Sequence, residues 1–504
     1  MNKTAILIMI LTLGSKVFGL FRDITLSFFY GTSYVSDAFL ISQMIPMSIL
    51  EFIGLGLLTG YIPLYESVEK KNGKNSGGVF TNKVVSIVIV LSTLLIIVGL
   101  IFTKSIVLVF ASGFYGDSLK LAIQFTKISL FTIYFVTLGY VFRGFLQIHG
   151  KYLITVITGF PLNIITIIGI IVSAKFNLFF LAYGSLLAIF SQFIILAVFS
   201  YKVGYRFEWK WDIKDSYIVN LFQLAIPMMI GISVNQINLI VDRTLASRIA
   251  VGGISALNYA NRLNFFVQGI FVVSITTVMY PAISKLAATS NINGLKAKVN
   301  EAITGVNLLL VPASVGFFIY SKEIIILLFG RGMFDDKAIA MTTSATVFYS
   351  IGMLAVGLRE VLSRTFYSLQ NTKTPMINAS IGLVINIILN LVLSKYLGIS
   401  GLAFATSISA IVTTGLLFVS LTKIIGDYNI KYLLVTFMKI VFASILMAFI
   451  SRWTFNWLEV RLDSKLALLL GISFGVIAYF ISIYLLKIEE INNIVTSFRS
   501  KIKG

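Results

Sequence analysis

The chain has 504 residues, of which 58% are hydrophobic and only 12% are charged, about half the charged fraction of soluble domains. This composition predicts an all-α polytopic membrane protein and excludes a large soluble enzyme. The absence of Cys excludes disulfides and thiol catalysis. The net charge of +20 does not indicate a nucleic-acid partner, because Lys and Arg concentrate in loops on one side of the predicted spans.

Fourteen apolar segments are long enough to cross a bilayer, which takes about 20 residues. They lie at 4–30, 36–64, 81–103, 119–147, 152–174, 178–201, 217–245, 254–284, 299–321, 338–369, 375–394, 400–422, 432–451 and 466–487. The even number and the basic loops, such as EKKNGKNSGG and KVGYRFEWKWDIK, predict that both termini are cytoplasmic. The same loops are candidate contacts with anionic lipid. The first segment is not a cleavable signal peptide, since charges interrupt it.

The chain repeats itself at a nearly constant offset. KSIVLVFASGFYGD at 104–117 resembles KEIIILLFGRGMFDD at 322–336, and Pro63 precedes Pro281 by the same 218 positions as Lys104 precedes Lys322. The repeat covers six spans, an even number, so its two copies keep the same orientation in the membrane. We therefore expect two pseudo-symmetric six-helix lobes, with spans 13 and 14 outside the repeat.

These boundaries predict three parts, namely 1–215 with spans 1–6, 216–430 with spans 7–12, and 431–504 with the last two spans and a cytoplasmic tail. A substrate route between the lobes, opened by rocking of one lobe against the other, is the expectation for such a repeat.

The first span carries charges that a membrane helix normally lacks. Lys16 and Asp23 are seven residues apart and share one helical face, whereas Arg22 joins them only if the helix unwinds at Gly19. Charges inside a bilayer usually face a cavity or a partner, because each costs about 2.5–3.5 kcal/mol. This face is a candidate binding surface.

Two further spans contribute polar faces. Asp37, Ser48 and Glu51 share a face of span 2. Ser255, Asn258 and Arg262 share a face of span 8, and Asn261 lies beside it. Lys16, Arg22 and Arg262 are the main cations of the three faces. Cations gathered in a dry cleft indicate an anionic ligand. Arg suits phosphate oxygens better than Lys does, because its planar guanidinium donates paired hydrogen bonds. Salt bridges between the lobes are the structural alternative.

Other intramembrane charges have simpler interpretations. Arg359 beside Glu360 is a candidate ion pair within the bundle. Arg364 lies near a cytoplasmic span end, where its side chain can snorkel to the interface. Lys439 receives no role from the sequence.

A second polar set is a candidate cation site. Asp242 lies in span 7, Asn386 and Asn390 are four residues apart in span 11, and Thr406 lies in span 12. Hard cations take oxygen ligands of this kind, and sodium is the candidate coupling ion. Asn and Thr also hold membrane helices together. No other cofactor is predicted, and the lack of a GxxxxGK[ST] phosphate loop excludes that type of ATP hydrolysis.

The chain resembles the MurJ/MviN family of lipid II flippases, in the superfamily that also holds polysaccharide flippases and multidrug (MATE) exporters. The resemblance rests on SKVFGLFRD at 15–23, SDAFLISQMIP at 36–46, YANRL at 259–263 and FYSLQNTKTP at 366–375. It implies a bacterial plasma-membrane protein with a V-shaped pair of lobes around a cationic cavity. It also implies a groove for the polyprenyl tail on the last two spans.

The resemblance further implies transport of undecaprenyl-pyrophosphate-linked peptidoglycan precursor from the inner to the outer leaflet, without enzymatic catalysis. The substrate-binding residues carried over are Lys16, Arg22, Asp23, Asp37 and Arg262, and the sodium ligands are Asp242, Asn386, Asn390, Thr406 and the backbone near Leu402. The partners implied are the lipid-linked glycan and membrane lipids. We expect a monomer, and association with cell-wall synthesis proteins stays open.

The sequence departs from the family at several places. Asn261 replaces the Asp of the family's YADRL motif, and Lys16 stands where Arg is usual. Leu50 and Glu51 stand where the family commonly has an Arg pair, and Asn390 replaces an Asp of the sodium-binding members. A flippase for another polyprenyl-linked polysaccharide is therefore the alternative function. A MATE-type exporter of cationic drugs fits the basic excess less well, and a non-transporting scaffold for cell-wall assembly is the alternative from another class.

Overall fold

The computed structural model describes residues 3–73 and 75–488, and in this part of the chain all regular structure is α-helical. Seventeen helices follow one another: α1 Lys3–Tyr30, α2 Tyr34–Asn72, α3 Ser76–Ile101, α4 Thr103–Phe110, α5 Gly116–Ser129, α6 Thr132–Ile148, α7 Tyr152–Ile157, α8 Gly159–Lys175, α9 Phe179–Lys202, α10 Ser216–Ile249, α11 Gly253–Ala288, α12 Ile292–Leu328, α13 Asp336–Ser368, α14 Lys373–Leu397, α15 Ile399–Ile425, α16 Ile430–Glu459 and α17 Ser464–Leu485. The prediction of an all-α chain is confirmed. The predicted tail from 489 onward lies outside the described residues.

Eleven helical stretches of the described chain are long and apolar enough to cross a membrane. They are α3, α5 with α6, α7 with α8, α9, and the seven helices from α11 to α17. The chain is therefore a multi-pass membrane protein. Helices α1, α2 and α10 lie where spans 1, 2 and 7 are predicted, and their 28, 39 and 34 residues exceed the length that a bilayer requires. The count of fourteen spans stays a prediction.

The internal repeat is visible in the backbone. Helix α3 ends at Phe102, where φ is −99° and ψ is 16°, and the short α4 follows. Helix α12 is kinked at Tyr320, where φ is −112° and ψ is 15°, before its last two turns. The two breaks are 218 positions apart, the offset that the sequence motifs show. The repeated motif therefore has the same local structure in both copies.

The contacts divide the chain into two compact units, one of residues 1–255 with 331–335 and one of residues 256–330 with 336–504. The first unit contains α10, which packs on α2, and one of its apolar clusters includes Tyr61, Phe142 and Tyr205. The second unit packs α16 and α17 against α12, where the Tyr479 hydroxyl donates to the Leu308 carbonyl at 2.7 Å. The boundaries at 215 and 430 follow the sequence repeat and stay predictions.

Candidate functional site

Helix α1, which carries Lys16 and Arg22, has no break. It is continuous from Lys3 to Tyr30, so the unwinding at Gly19 that would bring Arg22 onto the face of Lys16 and Asp23 does not occur in this structure. The glycines instead allow close packing on α8, because a Cβ at Gly14 would lie 3.1 Å from the Phe160 ring and one at Gly19 would lie 3.7 Å from the Asn163 carboxamide.

Arg22 and Asp23 form an ion pair on this helix. Arg22 Nη2 and Nε lie 2.9 and 3.1 Å from the same Asp23 carboxylate oxygen, and Asp23 is buried. The Arg22 side chain keeps 23% of its surface exposed, and Lys16 is half-buried. This salt bridge lies within one helix, whereas the structural alternative expected salt bridges between the lobes. Because Arg22 uses two donors on one oxygen and a guanidinium has five, the group retains donors for a second anion.

Asp37 is the most fully engaged of the predicted site residues. It is 1% exposed, and its two oxygens accept the backbone N–H groups of Gly252 and Ser255, each at 2.8 Å. Ser36 adds a hydroxyl bond to Ser255 at 3.2 Å. The carboxylate thus satisfies orphan amides at the start of α11, where a negative charge is stabilised by the helix dipole. In this arrangement Asp37 fixes a helix end.

The other two residues of the α2 face lie elsewhere along the helix. Glu51 is fourteen residues from Asp37, about 21 Å along an α-helix, so the shared face does not make one site. Glu51 is exposed and accepts a hydrogen bond from Gln236 of α10. Ser48 is buried, and Leu50 is fully buried in an apolar cluster with Ile96 and Leu130. The position of the family's Arg pair is therefore partly a packing position here.

The α11 residues belong to the second unit. Arg262 is exposed, and Asn258 and Asn261 are half-buried. Tyr259, which follows Asn258 in the sequence, is fully buried and packs against Phe329 at a ring-centroid distance of 5.2 Å. The YANRL motif therefore holds its aromatic residue in the core and leaves its Arg on the surface of the helix.

Four of the five predicted sodium ligands come together in the second unit. Asn390 Nδ2 donates to Asn386 Oδ1 at 2.7 Å, Asn386 Nδ2 donates to Thr406 Oγ1 at 3.4 Å, and Thr406 donates to the Leu402 carbonyl at 3.0 Å. Both Asn side chains are buried. These neutral oxygens suit a hard cation. The fifth, Asp242, is buried in α10 of the first unit.

Two other intramembrane charges, Glu360 and Lys439, have hydrogen-bond partners that the sequence did not predict. Glu360 accepts from Arg364 Nε at 2.7 Å, one helical turn away, so its hydrogen-bonded partner is not the neighbouring Arg359 that the sequence suggested. Lys439 donates to the Leu486 carbonyl at 3.1 Å, at the end of α17. A cation there is stabilised by the unsatisfied carbonyls of a helix C-terminus, which gives Lys439 a structural role.

A cavity of about 430 Å³ opens beside Lys439. It is lined by Leu434, Val435, Met438, Lys439, Phe442 and Leu486. Its lining is almost wholly apolar, as expected for a surface that faces lipid tails.

The repeat relates loop 111–115 to loop 331–335, and it relates the end of α1 to the end of α10. Each loop contacts one of these helix ends. Met333 N–H donates to the Phe28 carbonyl of α1 at 2.9 Å, and Gly113 N–H donates to Ser247 Oγ of α10 at 3.0 Å. A Cβ on Gly332 would lie 2.2 Å from the Phe28 carbonyl oxygen. We call residues 28–32, 111–115, 244–252 and 331–335, all in the first unit, the loop seal.

Sequence reasoning did not anticipate the seal, nor the role of Arg243, which donates to the Ile254 carbonyl at 2.9 Å. The sequence did contain a signal for Arg243, since Asp242 and Arg243 correspond to Asp23 and Arg22 in the repeat.

Solved structures show the fold that the chain shares with known proteins. An inward-facing multidrug resistance MATE family transporter of the MOP superfamily aligns with a TM-score of 0.68, covering 84% of this chain and 99% of that chain at 15% identity. The structure titled "Lipid II flippase MurJ, inward closed conformation" aligns with a TM-score of 0.84, covering 95% of this chain and 98% of that chain at 27% identity. The fold is that of the MOP transporters.

Within that class the family follows from the sequence comparisons. The model of the family described as "Lipid II flippase MurJ" matches residues 26–470, so the chain belongs to the MurJ family. A probable lipid II flippase MurJ of Vibrio cholerae is 29% identical, covering 97% of this chain and 96% of its own length. A probable lipid II flippase MurJ of Buchnera aphidicola subsp. Baizongia pistaciae is 30% identical, covering 82% of each chain. The suspected resemblance is confirmed.

Proposed function

We propose that this protein is a lipid II flippase, which moves the undecaprenyl-pyrophosphate-linked precursor of peptidoglycan from the inner to the outer leaflet of the bacterial plasma membrane, with both termini cytoplasmic. The observation that carries the proposal is the match to the MurJ family over residues 26–470. Moving a head group between leaflets needs no bond to be made or broken, so the protein is proposed to transport and not to catalyse.

The pyrophosphate is proposed to bind the cations of α1 and α11. Lys16 and Arg22 are partly accessible inside a membrane helix, and Arg262 is exposed on α11. Asp23 holds the Arg22 guanidinium in place by a bond to one oxygen. The remaining donors of Arg22 suit phosphate oxygens, which bind guanidinium groups through paired hydrogen bonds. Asp37 is proposed to act by placing the start of α11.

Alternating access is proposed as the transport mechanism. The loop seal supports it, because each half of the repeat contributes one loop and one helix end to the same cluster of short backbone contacts. In the proposed topology the ends of α1 and α10 lie on the outer side, so breaking these contacts opens that side. The binding of sodium to Asn386, Asn390, Thr406, the Leu402 carbonyl and Asp242 is the proposed means of resetting the cycle.

The cavity beside Lys439 is proposed to take part of the polyprenyl chain. Its lining is apolar, and the exposed fractions of Met438 and Phe442 are 62% and 61%, so an isoprenoid can reach it from the bilayer. The two helices outside the repeat would then bind the part of the substrate that never leaves the membrane.

Complementation tests this function. A bacterial strain depleted of its own lipid II flippase should grow when it expresses the wild-type chain, and should fail with Lys16→Ala, Arg22→Ala or Arg262→Ala. One charge-assisted hydrogen bond contributes about 1.5–3 kcal/mol, so each loss should weaken pyrophosphate binding about 10- to 150-fold. Lys395→Ala removes an exposed lysine near the end of α14 and is the matched control. Full rescue by all three variants, at equal membrane abundance, would exclude the anion-binding mechanism.

A second candidate, a flippase for another polyprenyl-linked glycan, is favoured by one observation. Leu50 lies in an apolar cluster and Glu51 is bound to Gln236, so the site of the family's Arg pair offers no cation. If the wild-type chain does not rescue the depleted strain, and its deletion from its own host removes a surface glycan, this candidate replaces the first.

A further inference from the structure

The segment between α9 and α10 alternates two kinds of side chain. Residues 206–214 read RFEWKWDIK and form no helix. The odd-numbered residues are large and apolar, and about half of each side chain is exposed; they are Phe207, Trp209, Trp211 and Ile213. The even-numbered residues are all charged. A period of two places the two kinds of side chain on opposite sides of an extended chain.

The segment is fastened to α3 through two backbone groups and the side chain of Asp212. The Arg206 carbonyl accepts from Asn82 Nδ2 at 3.0 Å, Lys210 N–H donates to Ser86 Oγ at 3.1 Å, and Asp212 accepts from Lys83 Nζ at 2.8 Å. These contacts hold the backbone of the segment along one stretch of α3. The four apolar side chains of the segment stay about half exposed.

The apolar row is ordered at its beginning. Tyr205 is buried in the core of the first unit, against Phe142 and Phe145. The rings of Phe207 and Trp209 contact each other edge to face at a centroid distance of 6.4 Å, which shows that they share one side of the segment. The row is thus a firmly anchored strip of exposed aromatic surface.

The position of the strip relates it to the membrane surface. Its contacts Asn82 and Ser86 lie in the second and third turns of α3, a candidate span of residues 76–101, about 9 to 15 Å from the start of that helix. The span predicted at 81–103 begins at these residues, and Trp side chains concentrate at span ends, where an apolar ring meets polar headgroups. Lys210 and Lys214 are exposed beside the ring residues, as are the basic side chains that attract anionic lipid, and Lys210 Nζ lies 3.2 Å from the exposed Glu208 carboxylate.

We infer that residues 206–214 form an interfacial anchor, which inserts its aromatic row among the lipid headgroups and holds anionic phospholipid with Lys210 and Lys214. The partner is the lipid surface of the leaflet at the start of α3. The inference concerns a lipid contact of the chain itself and does not depend on the proposed transport function.

The chain has only four Trp residues, which allows a direct test by fluorescence. The variant Trp453→Phe/Trp457→Phe leaves Trp209 and Trp211 as the only indole fluorophores. In vesicles of phosphatidylcholine mixed with phosphatidylglycerol, these two should be quenched more by lipid brominated near the headgroup end of its chains than by lipid brominated near the bilayer centre. They should be shielded from aqueous acrylamide. Strong acrylamide quenching without quenching by either lipid would overturn the inference.

The preference of the segment for anionic lipid is tested separately. Quenching by brominated phosphatidylglycerol should exceed quenching by brominated phosphatidylcholine, and Lys210→Gln/Lys214→Gln in the same background should remove that excess, reducing the local preference about fivefold per lysine. The reciprocal protein Trp209→Phe/Trp211→Phe reports from Trp453 and Trp457 of α16 and is the control, since its quenching should not respond to the lysines. Equal quenching by the two lipids in the unsubstituted background would refute the lipid specificity.

Discussion

Gly332→Ala should loosen the loop seal. The residue has a φ of +65°, and a Cβ built on it would lie 2.2 Å from the Phe28 carbonyl oxygen. Real Cβ atoms do not approach an oxygen so closely, so the loop has to withdraw from α1. The neighbouring bond from Met333 N–H to that same carbonyl is then stretched or lost.

The size of the effect follows from the contacts that are lost. A hydrogen bond contributes about 0.5–1.5 kcal/mol net, and the lost packing around it brings the total to about 1–2 kcal/mol. That difference changes a two-state equilibrium about 5- to 30-fold. The strain of Ala at positive φ, about 1–2 kcal/mol, acts in any state that keeps the same backbone angle and does not enter this figure.

Cysteine labelling measures the change, because the native chain has no Cys. Ser27 is fully buried beside the seal, and its hydroxyl bonds only within its own helix, to the Ile24 carbonyl at 2.8 Å. Ser27→Cys in nanodiscs should react slowly with a polar maleimide, and Gly332→Ala should accelerate the reaction about 5- to 30-fold. Gly116→Ala is the matched control, since Gly116 has a φ of +55° and no atom near its Cβ position. Equal rates for the two variants would refute the reasoning.

Two further predictions concern the other polar clusters. Wild-type protein should melt at a higher temperature in NaCl than in KCl, and Asn386→Ala or Asn390→Ala should abolish the difference, whereas Asn378→Ala on the same helix should keep it; a difference that survives in all three would exclude the proposed cation site. Burial raises the pKa of Asp215, but the bonds from Lys83 and from two backbone N–H groups outweigh it and lower the pKa below its usual value. The resulting stability is present above the unfolded-state pKa of about 4 and is lost as the pH falls through the folded-state value, so the melting temperatures of wild type and Lys83→Met should differ at pH 7 and converge in acid; a gap that is the same at both pH values would contradict this.

The sequence predicted features that depend on local pattern. Apolar length located the helices, and the segments predicted at 81–103 and 299–321 end within one residue of the helix breaks at Phe102 and Tyr320. Spacing also grouped Asn386 with Asn390, since residues four apart on a helix always meet.

Contacts between distant segments could not be predicted in this way. Asp37 was grouped with Glu51 because they share a helical face, yet its partners are the amides of Gly252 and Ser255, more than 200 residues away. Backbone groups leave no trace in a sequence, and neither does the choice of Glu360 between two neighbouring arginines. The placement of Leu50 in an apolar cluster likewise depends on tertiary packing.

The binding of Asp37 to two main-chain amides has a genetic consequence. A salt bridge between side chains can be restored by exchanging the two charges, so a damaging mutation in one partner can be rescued by a change in the other. Amides at 252 and 255 cannot be recoded, because every amino acid except proline supplies the same N–H group. Revertants of an Asp37 mutant are therefore expected to recover the carboxylate itself, and a search for compensating charges at its contact positions should yield none.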